Sequence, residues 1–191
     1  MYYSKQRYLS DRDLWMLIAQ SSYGDDLRPL NFRGANLVGA DLAGADLAGA
    51  NFAGANLTNA DFRGANLAGA FFAGAILNTA NLENTNLMAA VLARAELAGA
   101  TLNDADLTDA NLEGANLTHT NLVDADLTRA DLSLTLMRMA DMTRANLFKA
   151  NLSGADLTGS ELFEANFGRA FLNDTIMVDV RNLERTVGYK G

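Results

Sequence analysis

The sequence predicts an all-β solenoid, and three regularities support this fold class. A hydrophobic residue occupies every fifth position from Phe32 to Met177 without insertion or deletion, and these thirty centres are 22 Leu, 5 Phe and 3 Met. Two residues before each centre stands Ala in 24 cases, and the position between carries 13 Asn and 8 Asp. The unit is therefore A(N/D)LXX, and an uninterrupted repeat of fixed period is typical of a stacked-repeat protein.

The five-residue period excludes both a long helix and a continuous strand. A helix turns about 100° per residue, so a step of five would scatter the leucines around its surface. Side chains of a strand alternate between faces, so an odd step would send successive leucines to opposite sides. A corner must therefore redirect the chain in every unit. Of the 16 glycines, 12 lie two places after a centre, where a turn with positive φ would place them. In each extended piece, Ala and Leu are expected to point inward and Asn or Asp outward.

The run from Ala40 onward reads ADLAG, ADLAG, ANFAG, ANLTN, ADFRG, and it resembles the repeats of the pentapeptide-repeat family. The resemblance implies a right-handed quadrilateral β-helix in which four pentads complete each coil. It covers residues 30–179, about 7.5 coils, which gives a rod roughly 35 Å long at a strand spacing of about 4.8 Å. Packed layers of Ala and Leu would leave no interior cavity, so no cofactor is expected.

The N-terminal segment, 1–29, is expected to cover the open edge of the first coil. Ser10 and Asp13 resemble a capping box, and the apolar residues that follow have helical spacing. A short capping α-helix is therefore predicted over about 11–22, and Trp15 is expected to contribute to this cap.

The C-terminal segment, 180–191, leaves the five-residue register. Its apolar residues could fold back over the last coil as a cap or pack against a second molecule: Val180, Leu183, Val187 and Tyr189. Because no linker interrupts the array, the segments 1–29, 30–179 and 180–191 are predicted to form one domain.

The composition argues against catalysis and against metal or redox chemistry. The 191 residues include no Cys and one His, so neither a zinc site nor a disulfide framework is expected. His119 stands alone at an outward corner and is expected to be a solvated turn residue. No apolar run approaches the length of a membrane span, and no leader precedes the array, which predicts a cytoplasmic protein. We expect no enzyme activity, no cofactor, no metal and no membrane partner.

Sorting the outward residues by a coil of twenty places eight carboxylates on one wall. We call this set the acidic stripe: Asp41, Asp61, Glu83, Asp104, Asp124, Asp141, Glu161 and Glu164. Only Arg63 and Arg144 oppose them there, in a chain of net charge −8. This charge argues against direct nucleic-acid binding, which needs a basic surface.

The acidic stripe has two interpretations. Some members of the family resemble duplex DNA in shape and charge and bind type II topoisomerases, inhibiting them or protecting them from quinolones. An acidic rod suits that function by analogy, but such members often carry a projecting loop or an interruption that this array lacks. Alternatively, the carboxylates provide solubility and hydrogen-bond the adjoining turns.

Several outward positions carry large apolar side chains, and the twenty-residue coil assigns them to two adjacent walls. They form the predicted apolar patch: Phe71, Ile76, Val91, Leu134, Leu136, Met139, Phe171 and Ile176. A contiguous apolar patch usually marks an interface, whereas scattered residues need no explanation. Phe171 and Ile176 could instead serve a homodimer through the C-terminal coil, as in some relatives.

The sequence therefore favours a non-enzymatic protein-interaction or scaffold module that acts through the outer walls of a rigid rod. The surface expected to bind is the apolar patch around Phe71, Ile76 and Val91, and the sequence does not identify the protein partner. The alternative function is an acidic DNA mimic that binds a type II topoisomerase.

Overall fold

The chain winds into four-sided coils of twenty residues in the computed structural model, which is described over residues 14–18 and 29–189. Isolated parallel β-bridges recur at every fifth position and join residues 20 apart, from Asn31↔Asn51 to Glu161↔Arg181. Four pentads therefore complete each coil, which confirms the predicted quadrilateral β-helix. The right-handed winding stays a prediction.

Each unit is held by bonds to its two neighbouring coils and by one bond within its own corner. The Asn51 N–H donates to the Leu30 carbonyl at 2.8 Å, and the Phe32 N–H donates to the Asn51 carbonyl at 2.7 Å. The corner closes where the Ala35 N–H donates to the Phe32 carbonyl at 2.9 Å. This pattern recurs along the array and satisfies the backbone without long strands.

The corner is a left-handed residue two places after each centre. All twelve glycines at this place have φ between 62° and 70°, as the sequence predicts. The other corners from 34 to 179 carry side chains and have φ between 53° and 61°. A side chain in this conformation costs roughly 1–2 kcal/mol, so pairing between coils must impose the corner where glycine is absent.

The interior of the rod is filled by the central residues and by the small residues two places before them. Every centre from Phe32 to Phe167 is buried. In the first coils, Phe52 stacks between Phe32 and Phe72 with ring centroids 5.1 and 4.9 Å apart. Phe62 meets Phe52 edge-on at 5.9 Å.

A helical segment lies at the N-terminal end of the rod. Residues 14–18 are helical, and Leu14 and Ile18 are buried in the core cluster. The Trp15 indole N–H donates to the backbone carbonyl of Asp41, in the first coil, at 3.1 Å. The remainder of the helix predicted over 11–22 lies outside the described residues.

Backbone pairing continues past residue 179 at the C-terminal end. Arg181 bridges Glu161, but Val187 bridges Asn166, a separation of 21 residues. The additional residue lies between the bridges of Arg181 and Val187, in a segment that contains a 3₁₀ helix, Leu183–Arg185.

The core is unevenly covered at this end. Beyond the 3₁₀ helix, the Tyr189 ring meets the Phe167 ring edge-on at 6.5 Å and helps to cover it. On the other two walls, the centres Leu172 and Met177 are only partly buried.

Candidate interaction surfaces

The wall position between Ala and the centre has a structural role when it carries Asn or Asp. The side-chain oxygen accepts the amide N–H two residues later, as Asn51 does from Ala53 at 3.0 Å. Asp141 makes the same bond to Thr143 at 3.0 Å. A large apolar residue at this position gives up that bond and also exposes hydrocarbon. Replacement of Asn or Asp by a large apolar residue at this position therefore does not stabilise the adjoining turn.

Seven of the eight residues of the predicted apolar patch are exposed. Leu134 is 61% exposed and Phe171 is 58% exposed. Val91 is half-buried, because the ladder places it between Phe71 and Asn111.

The bridges show that the patch consists of separate parts. Phe71 pairs with Val91, and Ile76 occupies the next wall of the same coil. We call these three residues the first apolar cluster. Beyond Ile76, the same ladder continues through Glu96 and Asn116. These polar residues separate the first apolar cluster from the other apolar residues on that wall.

The second apolar cluster comprises Leu134, Leu136, Met139 and Ile176. Leu136 and Ile176 lie in one ladder with Asp156 between them. Asp156 is only 5% exposed, so its carboxylate contributes little to the surface between Leu136 and Ile176. Phe171 lies on the neighbouring wall, where it pairs with Asn151.

Two residues of the second apolar cluster occupy left-handed corners. Leu134 has φ 59° and Met139 has φ 57°. The Leu134 Cδ2 atom lies 2.9 Å from the place where a Cβ on Gly154 would stand, and the Met139 Sδ atom lies 2.6 Å from the corresponding place on Gly159. Both side chains thus lean along the rod over a glycine of the following coil. The glycines provide the space for an apolar corner.

A charged pair lies within the second apolar cluster. The Arg138 Nε atom donates to the Asp156 carboxylate at 2.6 Å, and the Thr158 hydroxyl and amide donate to its other oxygen at 2.5 and 3.0 Å. Burial alone raises the pKa of Asp156, but these hydrogen bonds outweigh burial and hold its pKa below the ordinary value. Asp156 is therefore a satisfied anion that fixes the Arg138 guanidinium beside Leu136.

Some exposed apolar residues were missed by the sequence analysis. Val38, Met88 and Val178 are all exposed at the position directly after a centre. The sequence analysis treated that position as generic, and examining its hydrophobicity would have found them. Val178 lies two residues after Ile176 and extends the second apolar cluster.

Ion pairs between described residues involve part of the acidic stripe. Four carboxylates have an arginine nitrogen within 4.0 Å, in the pairs Asp61–Arg63, Asp124–Arg144, Glu161–Arg181 and Glu164–Arg185. Hydrogen bonds from Arg63 to Asp61 and from Arg144 to Asp124 hold the pKa of each carboxyl below its usual range. Two of the four arginines lie beyond the regular array, so the wall is less negative than its repeats alone suggest.

Several carboxylates of the stripe also support the fold. Asp41, Asp61 and Asp141 accept the amide N–H two residues later at 3.2, 3.1 and 3.0 Å. These aspartates therefore have a local reason to be present, as one interpretation of the stripe predicts.

The described residues offer little for metal chemistry. In 14–18 and 29–189, no group of His, Cys, Asp and Glu is arranged to hold a metal ion. None of the helices in this part of the chain has the length and hydrophobicity needed to cross a membrane.

Comparison with known proteins identifies the same repeat. The family model described as Pentapeptide repeats matches in eight copies, over residues 30–64, 55–94, 95–133 and 140–177. No curated protein matches the chain.

Solved structures of pentapeptide-repeat proteins are similar to this chain. Rfr23 from the cyanobacterium Cyanothece 51142 is 30% identical over 48% of this chain and 63% of its own, slightly under two thirds, with a TM-score of 0.47. HetL from Nostoc sp. strain PCC 7120, involved in heterocyst differentiation regulation, is 26% identical over 92% of this chain and 97% of its own, with a TM-score of 0.34. QnrB1, a plasmid-mediated fluoroquinolone resistance protein, is 20% identical over 81% and 84%, with a TM-score of 0.40.

Proposed function

The chain belongs to the pentapeptide-repeat family, and from this premise we propose that it is a protein-interaction module that binds a protein partner through its second apolar cluster. The observation that carries the proposal is the pair of large apolar side chains, Leu134 and Met139, at exposed left-handed corners. The absence of enzyme activity and of a cofactor, and the cytoplasmic location, accompany this proposal as predictions.

The two corner residues are costly for the isolated rod. Among the corners from 34 to 179, only Leu134 and Met139 are large apolar residues. Each adopts a conformation that costs a side chain roughly 1–2 kcal/mol relative to glycine. The side chains of Leu134 and Met139 are also 61% and 50% exposed, so their burial within the chain offsets little of the conformational cost. A partner that covers them would recover the hydrophobic free energy.

The surroundings of the corners resemble the centre of a protein interface. Leu136 and Ile176 supply further exposed apolar surface, and Arg138 places a fixed guanidinium beside them. Arginine is enriched among the residues that dominate binding energy, and a contiguous exposed apolar surface usually marks an interface. The first apolar cluster lies three coils away, about 14 Å at the usual strand spacing. One partner lying along the rod could therefore contact both clusters, including Phe71 and Ile76.

DNA mimicry through the acidic stripe is the weaker candidate. Four of its carboxylates are ion-paired with arginines of the described region, and Asp41 and Asp141 accept bonds from their own turns. These arrangements explain much of the stripe by stability alone. Capture of a topoisomerase subunit that depends on Asp104 and Asp124 would favour the mimic.

Self-association through the C-terminal coil is the other candidate for the apolar surface. Phe171, Ile176 and Val178 are exposed there, and the centres Leu172 and Met177 are only partly buried. A second copy stacked on this end would cover all five residues. Light scattering of the wild type and of Phe171→Asp with Ile176→Asp distinguishes this homodimer from a monomer.

The test of the proposed function replaces Leu134 and Met139 with Asn, which tolerates left-handed φ. We expect the double variant to be at least as stable as the wild type, because Asn relieves the corner strain. Affinity capture with quantitative mass spectrometry should show a specific protein lost from the double variant. Ala89→Asn is the matched control, since Ala89 occupies an exposed corner with φ 54° on another wall.

The outcomes separate folding from binding. A partner retained by Ala89→Asn and lost from Leu134→Asn with Met139→Asn supports the proposal. The proposal is contradicted if the wild type, Ala89→Asn and the double variant all capture the same amount of the partner. If the partner is lost only from the double variant Phe71→Asp with Ile76→Asp, the first apolar cluster is the binding surface instead.

A further inference from the structure

A basic and aromatic group lies on a different wall from the second apolar cluster. Lys149 Nζ is 5.3 Å from the centroid of the Phe148 ring, and Arg169 Cζ is 5.9 Å from the same centroid. Lys149 and Arg169 occupy equivalent corners of consecutive coils, with φ 61° and 60°. We call these three residues the basic–aromatic cluster. Both cations are within the distance at which an aromatic face attracts a positive charge.

A glycine fixes the position of the aromatic ring. A Cβ on Gly168 would stand 3.0 Å from Phe148 Cδ2, so the ring lies against the glycine of the following coil. Gly168 does not have the positive φ of a corner, and no backbone strain explains its presence. Its lack of a side chain makes room for Phe148, which remains half-buried between the two cations.

Within the described residues, the two cations have none of the anionic partners that most arginines have. Among the described residues, six arginines lie within 4.0 Å of a carboxylate: Arg63, Arg129, Arg138, Arg144, Arg181 and Arg185. Neither Lys149 nor Arg169 has such a contact in 14–18 and 29–189. Both side chains are exposed, in a chain of net charge −8.

The neighbouring wall positions are neutral on these two coils. Asn146 and Asn166 precede the cluster on its wall, and the Asn166 amide donates to the Asn146 oxygen at 2.9 Å. Asn151 follows Lys149, and Phe171 follows Arg169. The equivalent position one coil earlier than Asn146 is Asp126. The wall positions on either side of the two cations are therefore uncharged, whereas the preceding coil has Asp126 at the equivalent position.

We propose that the basic–aromatic cluster binds an acidic, extended segment of a partner protein. Charge complementarity supports this occupant, because two adjacent cations that have no ion pair within the described part of an acidic rod attract carboxylates locally. The two cations stand at equivalent corners of consecutive coils, about 4.8 Å apart at the usual strand spacing, so a segment that presents several carboxylates is favoured over a small anion. Nucleic acid fits less well, because two cations neutralise few phosphates. The site is separate from the second apolar cluster and stands whether or not that cluster binds a partner.

The test uses selective labelling, since the chain has three lysines, at 5, 149 and 190. The ¹⁵N-lysine protein gives one amide signal for each of them. Octaglutamate is the probe, octaglutamine is its neutral counterpart, and oligothymidylate represents nucleic acid. We expect octaglutamate to shift the Lys149 signal saturably and more than the other two signals, with weakening at raised salt. Octaglutamine should leave the Lys149 signal in place.

Arg169→Glu and its matched control complete the test. Arg169→Glu should weaken octaglutamate binding about tenfold or more at low salt, because it replaces attraction with repulsion. Arg94→Glu makes the same charge change at an exposed corner with φ 57° on another wall and should weaken it far less. No shift at Lys149 would overturn the proposal, as would equal weakening by both variants. Tighter binding of oligothymidylate at Lys149 would replace the acidic segment with nucleic acid.

Discussion

Met139 lies over Gly159, with its Sδ atom 2.6 Å from the place where a Cβ on Gly159 would stand. The side chain of one corner therefore occupies the space that the corner of the following coil leaves empty. Leu134 and Gly154 repeat the relationship five residues earlier, with Leu134 Cδ2 at 2.9 Å from the corresponding place. These two contacts orient the apolar corners that we propose as the binding surface.

Gly159→Ala should destabilise the rod more than the same change at an open corner. Gly159 has φ +70°, so alanine is strained there, and its Cβ would also collide with Met139. Gly74 has φ +62° with no atom within 4 Å of the added Cβ, so Gly74→Ala reports strain alone. We expect Gly74→Ala to cost about 1–2 kcal/mol and Gly159→Ala only about 0.5 kcal/mol more, because the exposed end of the Met139 side chain can move aside. Urea unfolding measures both free energies.

Met139→Ala in the Gly159→Ala background checks the cause. Removing the long side chain should abolish the additional cost, so that Gly159→Ala costs no more than Gly74→Ala. An additional cost that persists without Met139 would contradict the described contact.

Ser160→Ala should stabilise the protein. The Ser160 hydroxyl is completely buried and has no hydrogen-bond partner among the described residues. Removing a buried unsatisfied hydroxyl is expected to raise the free energy of unfolding by about 1 kcal/mol. Thr135→Ala is the comparison, because the Thr135 hydroxyl donates to the Leu132 carbonyl at 2.7 Å. Loss of this hydrogen bond should lower the free energy of unfolding. If Ser160→Ala lowers stability, the hydroxyl has a partner in solution.

Asp156→Asn should remove a pH-dependent contribution to stability. The folded-state pKa of Asp156 is lowered, so its carboxylate stabilises the protein fully above its unfolded-state pKa, about 3.9. This contribution is lost as the pH falls through the lower folded-state value. We expect Asp156→Asn to be less stable than the wild type by about 1–2 kcal/mol at neutral pH, with the difference shrinking in acid. Thermal unfolding across pH measures this, and a constant difference would exclude the charged pair as its source.

The period and chemistry of the repeat were sufficient to predict which side chains face inward. A step of five with Ala and Leu two residues apart identifies the buried positions, and the glycines identify the corners. The sequence alone could not show that Leu134 and Lys149 adopt the same left-handed backbone conformation as the glycines. Residues with a Cβ atom intrinsically disfavour positive φ. Pairing with adjacent coils overrides those preferences.

Neighbours between coils were harder to predict than neighbours within a pentad. That Leu136 approaches Ile176 across a buried Asp156 depends on the coil containing twenty residues, which the family resemblance supplied. The spacing of 21 residues between Asn166 and Val187 arises from a 3₁₀ helix, whose sequence does not follow the five-residue repeat. The basic–aromatic cluster was missed because Arg169 becomes a neighbour of Phe148 and Lys149 only when one coil stacks on the next.

The most direct test of the proposed function places a photo-crosslinking amino acid at position 134 in the intact protein inside its own cells. The same amino acid at position 89 provides the control at an equivalent exposed corner. We predict a discrete crosslinked product with one protein from position 134 and none from position 89. No product from position 134, or identical products from both positions, would contradict the assignment of the second apolar cluster as the partner-binding surface.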